Sequence, residues 1–353
     1  MSSIETYTEE SLELLAQLLK IPALSGQEAA KADALEAWLQ ERQYEVQRFG
    51  NNLVMSHNPN VELKVLLHSH IDTVKPASSW TQDPYAASWE NGKLTALGSN
   101  DAGASVISML AAFRYLKSIN WPYGLYWVAG AEEENSGSGG LSALLPHLPE
   151  FSLAIAGEPT SLKAAVAEKG LMVIDGEVKG VAGHAAREEG VNAIYEALAD
   201  IEFFRDYRFE KDSEFLGPVK MNLTVAQAGE KHNSIPDSFR YTVDVRLNEM
   251  YTHEEVLEIV QSHCKGQLSM RSNRLKPSAT PVNHPVRTAL RNMAIEQYGS
   301  PTLSDQALMP WPSLKMGPGD SARSHTADEF ILDSEIKEAV QTYIQLLQNT
   351  YSK

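Results

Sequence analysis

Apolar residues recur at helical spacing from Thr8 to Leu19 (Leu12, Leu14, Leu15, Leu18, Leu19), and Ile21-Pro22 ends the helix they predict. Ser25-Gly-Gln-Glu28 has the form of a capping box opening a second helix to Gln43, with Leu35, Trp38 and Leu39 on its apolar face. Short strands are predicted over 44–49 and 52–55, about a turn at Gly50-Asn51. Lys64 to His70, which opens on the apolar Val65-Leu-Leu, and Gly124 to Gly130 and Leu153 to Ala156 are runs of the kind that strands buried on both faces show. A strongly apolar helix, 104–116, falls between the first two of these runs. Strands alternating with helices in this way predict an α/β fold, a mostly parallel sheet flanked by helices.

Near residue 170 the period changes. Leu171 to Val178, 219–226 and 239–247 alternate apolar with polar positions, as half-buried antiparallel strands do. Helices are expected over 193–205 and 252–264, and a glycine-bounded loop over 183–190. After Thr280 the helical period returns, over 285–298 and 333–351. The expected organisation is therefore one domain made from residues 1–170 and 280–353, with an α+β domain, 171–279, inserted into it.

A chain of 353 residues is long enough for two such cores. Its 46 acidic and 30 basic residues leave a net charge of -16, which argues against nucleic acid and anionic membranes as partners. No apolar run approaches a membrane span. The single cysteine, Cys264, excludes an internal disulfide framework and suits a reducing compartment. With no basic and apolar leader pattern at the N-terminus, a cytoplasmic location is expected.

The acidity is unevenly placed. His70 and Asp72 stand at the end of one buried run and Glu132-Glu133-Glu134 at the end of the next. Glu158 comes just after the third run, and Asp101 precedes a helix in the glycine-flanked turn Gly98-Ser-Asn-Asp-Ala-Gly. Sites in parallel sheets form beyond the carboxyl ends of the strands, where these residues fall. A histidine two residues from a carboxylate is how a metal-binding imidazole is held: one ring nitrogen takes the metal and the other donates to the carboxylate. With the late His325, the set has two histidines and several carboxylates but no thiolate, a donor set that suits zinc. Two ions sharing one carboxylate would use all of them, and a carboxylate left over is a ready general base.

His70-Ile-Asp72-Thr-Val, Asp101-Ala-Gly, Glu133-Glu134 before Ser-Gly, Gly157-Glu158-Pro-Thr and His325 resemble, in that order, the motifs of the co-catalytic zinc amidohydrolases. That family includes acetylornithine deacetylase, succinyl-diaminopimelate desuccinylase, aminoacylase and the glutamate-releasing carboxypeptidases. The resemblance implies a zinc exopeptidase-like domain with an inserted dimerisation or lid domain, hence a homodimer. It implies two zinc ions, for which cobalt can substitute: His70 and Glu158 on one, Glu134 and His325 on the other, Asp101 bridging. Asp72 would orient His70, and Glu133 would be the general base. The family has Asp-Glu-Glu where this chain has Glu132-Glu133-Glu134, and a shift of one would move both glutamate roles. The residues before Asp101 also depart from the commoner pattern of small and basic ones.

In the inserted domain, Gly183-His184-Ala resembles the loop whose histidine polarises the scissile carbonyl across a dimer. Asn233 and Arg246 resemble the lid's substrate-binding pair, a guanidinium being suited to a carboxylate. Lys169, Arg187 and Arg323 are further cations for an acidic substrate group, and Gly319 could approach substrate by its backbone. The implied activity is deacylation of an N-acyl amino acid, N-acetyl- or N-succinyl-ornithine, in arginine biosynthesis. The enzyme rivals are a succinyl-diaminopimelate desuccinylase and a di- or tripeptidase. A relative that had lost its ligands would be a scaffold, but every expected ligand is present.

Overall fold

A computed structural model describes residues 3–187 and 189–351. The chain divides into two compact units: one runs to Val166 and adds Ala279–Tyr298 and the chain from Ser304 onward, and the other comprises Ala167–Ser278 with Gly299–Leu303.

The first unit is built on a sheet with nine strands among the described residues. Its centre is parallel: Gly124–Gly130, Lys64–His70, Leu153–Ala156 and Ser313–Lys315 lie side by side in that order. Antiparallel strands flank it, Asn52–His57 on one side and Ala164–Glu168 on the other. The side chains explain the burial. Val65, Leu66, Leu67, Leu125, Trp127, Val128, Leu153 and Ile155 are sealed from solvent, as an all-apolar run on a sheet covered on both faces must be. Trp127 donates its indole N–H to Val106 O at 3.1 Å, so the largest of them buries its polar atom satisfied. A side chain of that kind removes roughly 150–250 Å² from water, worth about 4–6 kcal/mol at about 25 cal/mol per Å².

Helix Ala104–Ser118 lies against the central strands, with Ile4–Leu18 and Asp333–Thr350 packed on it. Its alanines and serines (Ala104, Ser105, Ser108, Ala111, Ala112) let it approach closely enough to be buried along almost its full length.

The register of the parallel strands places the site. His68 pairs with Ala156, and His70 with Gly130. The three strands therefore end at one level, and the segments that leave them, Ile71-Asp72, Ala131 to Glu134 and Gly157-Glu158, emerge along one edge.

The second unit is a four-stranded antiparallel sheet in the order Lys220–Ala228, Ser238–Leu247, Gly170–Lys179, Gln267–Met270. Met172, Ile174, Val243 and Val245 face a core shared with Phe204, Val256 and Val260 of the helices, and the alternate positions face outward.

Three local expectations are corrected. The helix from Pro285 ends at Asn292 rather than running to Tyr298: Ala294 turns left-handed (φ 56°), and Gln297–Ser300 becomes a strand beside Ala164–Glu168. Residues 193–205 form two helices, Ala193–Glu196 and Leu198–Asp206, that meet at Ala197. The capping box at Ser25 does not form. Ser25 donates to Asp72 instead, Glu28 accepts from Gly26 N–H, and the helix begins at Ala29.

No helix among the described residues is long and apolar enough to cross a membrane.

Candidate metal centre

His70 closes the strand Lys64–His70 and is almost wholly buried. Its Nδ1 faces Asp72, 3.1 Å from the backbone oxygen and 3.5 Å from Oδ1. Its Nε2 points the other way, at 3.3 Å from Asp101 Oδ1, 3.7 Å from Glu158 Oε1 and 3.8 Å from Glu133 Oε2. That buried nitrogen has no hydrogen-bond partner among the described residues. A buried polar atom left unpaired is costly, and one facing three carboxylates is placed for a cation.

A second group lies beside the first. His325 Nε2 is 2.9 Å from Glu134 Oε2 and 3.6 Å from Asp101 Oδ2. His70, Asp101 and Glu158 form one set of donors with mutually close ligand atoms, and Asp101, Glu134 and His325 form another. Asp101 belongs to both. The residues fit a pair of divalent ions: each group offers one imidazole and two carboxylates, and one carboxylate is shared.

The charges agree with that fit. Burial raises Glu133 well above the carboxylate range, with Glu158 and Asp305 adding to it. Burial lifts Glu158 to about 8, and Glu134 is raised for the same reason. Burial alone would lower His70, but Glu133, Asp101, Asp72 and Glu158 overcome it and hold the imidazole well above its usual value. Without metal, the cluster holds protons where it has too much negative charge.

Asp72 is the hub of the support. Its Oδ1 accepts Glu133 N–H and its Oδ2 accepts Glu134 N–H, both at 3.1 Å, and Oδ2 also accepts the Ser25 hydroxyl at 2.7 Å. One carboxylate therefore holds the backbone beneath both glutamates while facing His70. Despite burial, these bonds and His70 keep its pKa low. Lys31, also buried, donates to Ile71 O at 3.1 Å between His70 and Asp72.

Glu132 turns elsewhere. Its Oε2 accepts Gly139 N–H at 2.9 Å, and its N–H donates to Glu28 Oε1 at 3.2 Å. The glycines after it leave room for its side chain: a Cβ on Gly137 would lie 2.0 Å from Glu132 Oε2.

The other candidates are spread more widely. Arg323 donates to Glu335 at 2.8 Å and lies over the Phe330 ring. Gly319 has φ +81°, and a Cβ there would meet Asn100 Oδ1 at 2.1 Å, so its want of a side chain already has a packing reason. The rest belong to the second unit. His184 and Asn233 sit side by side there: His184 pairs with Ser234, and Ala185 N–H donates to Asn233 O at 3.1 Å. His184 is exposed, and its Nδ1 accepts Ala186 N–H. Arg246 grips Asp244 through two bonds, 2.8 and 3.0 Å. Lys169 is buried and donates to Pro218 O at 3.2 Å, and burial, with Lys220 and Arg246 nearby, lowers its pKa. Arg187 is exposed, 3.9 Å from Glu189.

Several supporting contacts are not encoded by any spacing in the sequence: those of Ser25, Lys31, Asn100 and Glu329, and the buried pair His68–Asp305 (Nε2 to Oδ2, 2.6 Å). Each acts over a long sequence separation. Ser25 stands in a capping-box pattern, Asn100 next to Asp101, His68 two residues before His70 and Glu329 four residues after His325, but none of these places names the contact each makes.

The chain is 27% identical to the acetylornithine deacetylase of Proteus mirabilis (strain HI4320), over 96% of each protein. It is 28% identical to the putative succinyl-diaminopimelate desuccinylase of Mycobacterium tuberculosis (strain ATCC 25618 / H37Rv), covering 94% of this chain and 96% of that one. Among solved structures, a Staphylococcus aureus tripeptidase superposes with a TM-score of 0.74 at 20% identity, over 98% of this chain and 99% of that one. A Bacillus subtilis protein described as a dinuclear metal-binding peptidase of the M20 family gives 0.69 at 15% identity, over 97% and 98%. The model of peptidase family M20/M25/M40 matches residues 66–349, from the strand that carries His70 to the last helix, so the chain belongs to that family of metallopeptidases and deacylases and is a hydrolytic enzyme.

Proposed function

We propose that the chain hydrolyses the N-acyl amide of an amino acid, N-acetyl- or N-succinyl-ornithine, as a step of arginine biosynthesis. The observation that carries this reading is the unpartnered Nε2 of His70 facing Asp101, Glu133 and Glu158, with Asp101 shared by the His325 group.

His70, Asp101 and Glu158 would hold one divalent ion, and Asp101, Glu134 and His325 the other, zinc being the expected metal and cobalt a substitute. Such ions supply Lewis acidity, which activates water and polarises a carbonyl. Glu133 is the carboxylate left over: it accepts the proton of the attacking water and delivers it to the departing nitrogen. Asp72 keeps His70 oriented and holds the Glu133 backbone in place. That Glu132 spends its carboxylate on Gly139 N–H supports giving these roles to Glu133 and Glu134.

On the family resemblance we assign His184 to stabilising the developing oxyanion, and Asn233 and Arg246 to the substrate's polar groups. The same resemblance carries a homodimer, and the single cysteine suits a reducing, cytoplasmic compartment. The peptide-hydrolysing reading has its own support, the fold similarity to a tripeptidase.

One experiment separates these readings. Cobalt- or zinc-loaded protein is given N-acetyl-ornithine, N-succinyl-ornithine, N-succinyl-diaminopimelate and simple dipeptides, and amine release is followed beside a Glu133→Gln control. Release from an acyl-ornithine, lost in the control, is expected. Turnover of dipeptides alone moves the chain to the peptidase branch, and a metal-loaded protein silent on the whole panel overturns the substrate assignment.

A further inference from the structure

We propose that Asn100 and Glu329 form a reciprocal clamp that positions His325 against Asp101, so that the second donor group exists only while the clamp is closed. The inference rests on the metal-binding reading above.

His325 needs outside support. It is more than half exposed, its backbone is left-handed (φ 59°), and its side chain hydrogen-bonds to Glu134. A residue other than glycine keeps such a conformation where its surroundings impose it. Among the described residues no strand carries it: the nearest begins at Phe330.

The chain on either side of it is tied to the Asp101 turn. On the N-terminal side the Asn100 side chain reaches out of that turn, accepting Asp320 N–H at 3.0 Å and donating to Asp320 O at 3.1 Å and to Ser324 Oγ at 3.3 Å. Ser324 is the residue before His325. On the C-terminal side the tie runs in the opposite direction. The buried Glu329 carboxylate accepts the N–H groups of Asn100 at 2.8 Å, Asp101 at 2.9 Å and Gly98 at 3.0 Å. A carboxylate in a nest of three backbone donors is a strong, directional anchor. Ala96 N–H donates to Glu329 O, and Phe330–Leu332 pairs with Lys93–Thr95, which continues the same zip. The turn that bears the shared ligand thus sends one side chain before His325 and receives one from after it.

The clamp also accounts for two features of the sequence. Asn100 is among the residues that depart from the family's pattern before the bridging aspartate, and here it has a task. Gly319 is the residue beneath it: any side chain there would collide with Asn100 Oδ1. In the His70 group only Asp101, the shared ligand, touches the clamp, through its N–H on Glu329; His70 is held by its own strand and Asp72, and neither clamp residue hydrogen-bonds to His70 or Glu158.

The test counts metal ions. Metal-free protein is titrated with cobalt(II), followed by its visible absorption and by metal content after gel filtration. Wild type should bind two ions per chain. Asn100→Ala should keep one at unchanged affinity and hold the other 10–100-fold more weakly, the usual cost of losing an outer-shell partner. Its titration should match that of His325→Ala, and its metal-free form should unfold at the wild-type temperature. Glu329→Gln, which turns an amide N–H toward Gly98 N–H, should show the same selective loss and guards against one variant misfolding. Two ions held at wild-type affinity in both variants, or both ions lost together, overturns the clamp. A wild type that binds no cobalt(II) overturns the metal-binding reading itself.

Discussion

Glu158 Oε1 lies 3.7 Å from His70 Nε2, with the imidazole sealed from solvent and the carboxylate largely so. The gap is too long for a hydrogen bond and suits two donors aimed at a common centre. Without metal, burial keeps the Glu158 carboxyl protonated up to about 8. At pH 7 an ion must therefore displace its proton, and that of His70, which is also held above its usual value.

Metal uptake is thus expected to release protons at neutral pH. Apparent affinity should rise with pH through the range around 8 in which Glu158 gives up its proton unaided. Calorimetric titration in buffers of different ionisation enthalpy measures the release directly. Heats that do not depend on the buffer would refute it.

Glu133 and Glu134 are neighbours in the chain with different tasks, and substitution should separate them. Glu133→Gln should bind metal normally and lose about 10²–10⁴-fold in kcat, the usual worth of a general base. Glu134→Gln should lose affinity for one ion. Metal content measured beside kcat decides the register: a Glu133 variant that lost metal would move both roles by one residue.

The burial pattern made much of the fold legible. The three runs are strands with the predicted bounds, each built on an apolar centre that a sheet covered on both faces requires. The same logic placed the acidic residues, since parallel strands in register end together. Strands of three residues, such as Ser313–Lys315 and Phe330–Leu332, were not legible; they are too short for a period and exist through their partners. At Ser25 a local rule lost to a distant one. The Ser-x-x-Glu pattern was present, but Asp72, 47 positions away, took the hydroxyl. The ligands themselves lie in short motifs, whereas Asn100, Lys31 and Glu329 act through contacts that no spacing encodes.

Ser25 offers a direct measure of that distant contact. Its hydroxyl is one of three donors on the buried Asp72 carboxylate. Ser25→Ala should destabilise the protein by about 1.5–3 kcal/mol, the worth of a hydrogen bond to a charged group. If Asp72 orients His70, the variant should also weaken metal binding while a capping defect alone would not. Denaturant unfolding with and without metal separates the two, and unchanged metal affinity would reduce Ser25 to local support.

The second unit carries its own acid sensitivity, on the outward face of its sheet. Glu177 accepts from Lys179, Ser238 and Arg240, which together hold its carboxyl down at about 2. Asp175 is likewise lowered, by Arg271 first and by Thr242. A carboxylate whose folded pKa lies below its unfolded one adds stability that is complete above the unfolded value and is lost as pH falls toward the folded one. For Glu177 that window runs from its ordinary 4.5 down to about 2. Both residues are exposed enough for solvent and salt to screen them, so the effect should be small and should fade at high ionic strength. The expected signature is in the slope. Thermal unfolding of a Glu177→Gln, Asp175→Asn double variant should depend less on pH between 4.5 and 2 than that of the wild type, while the two differ little in slope near neutrality. Parallel curves through the acid range would show that these pairs form no better in the folded chain than in the unfolded one.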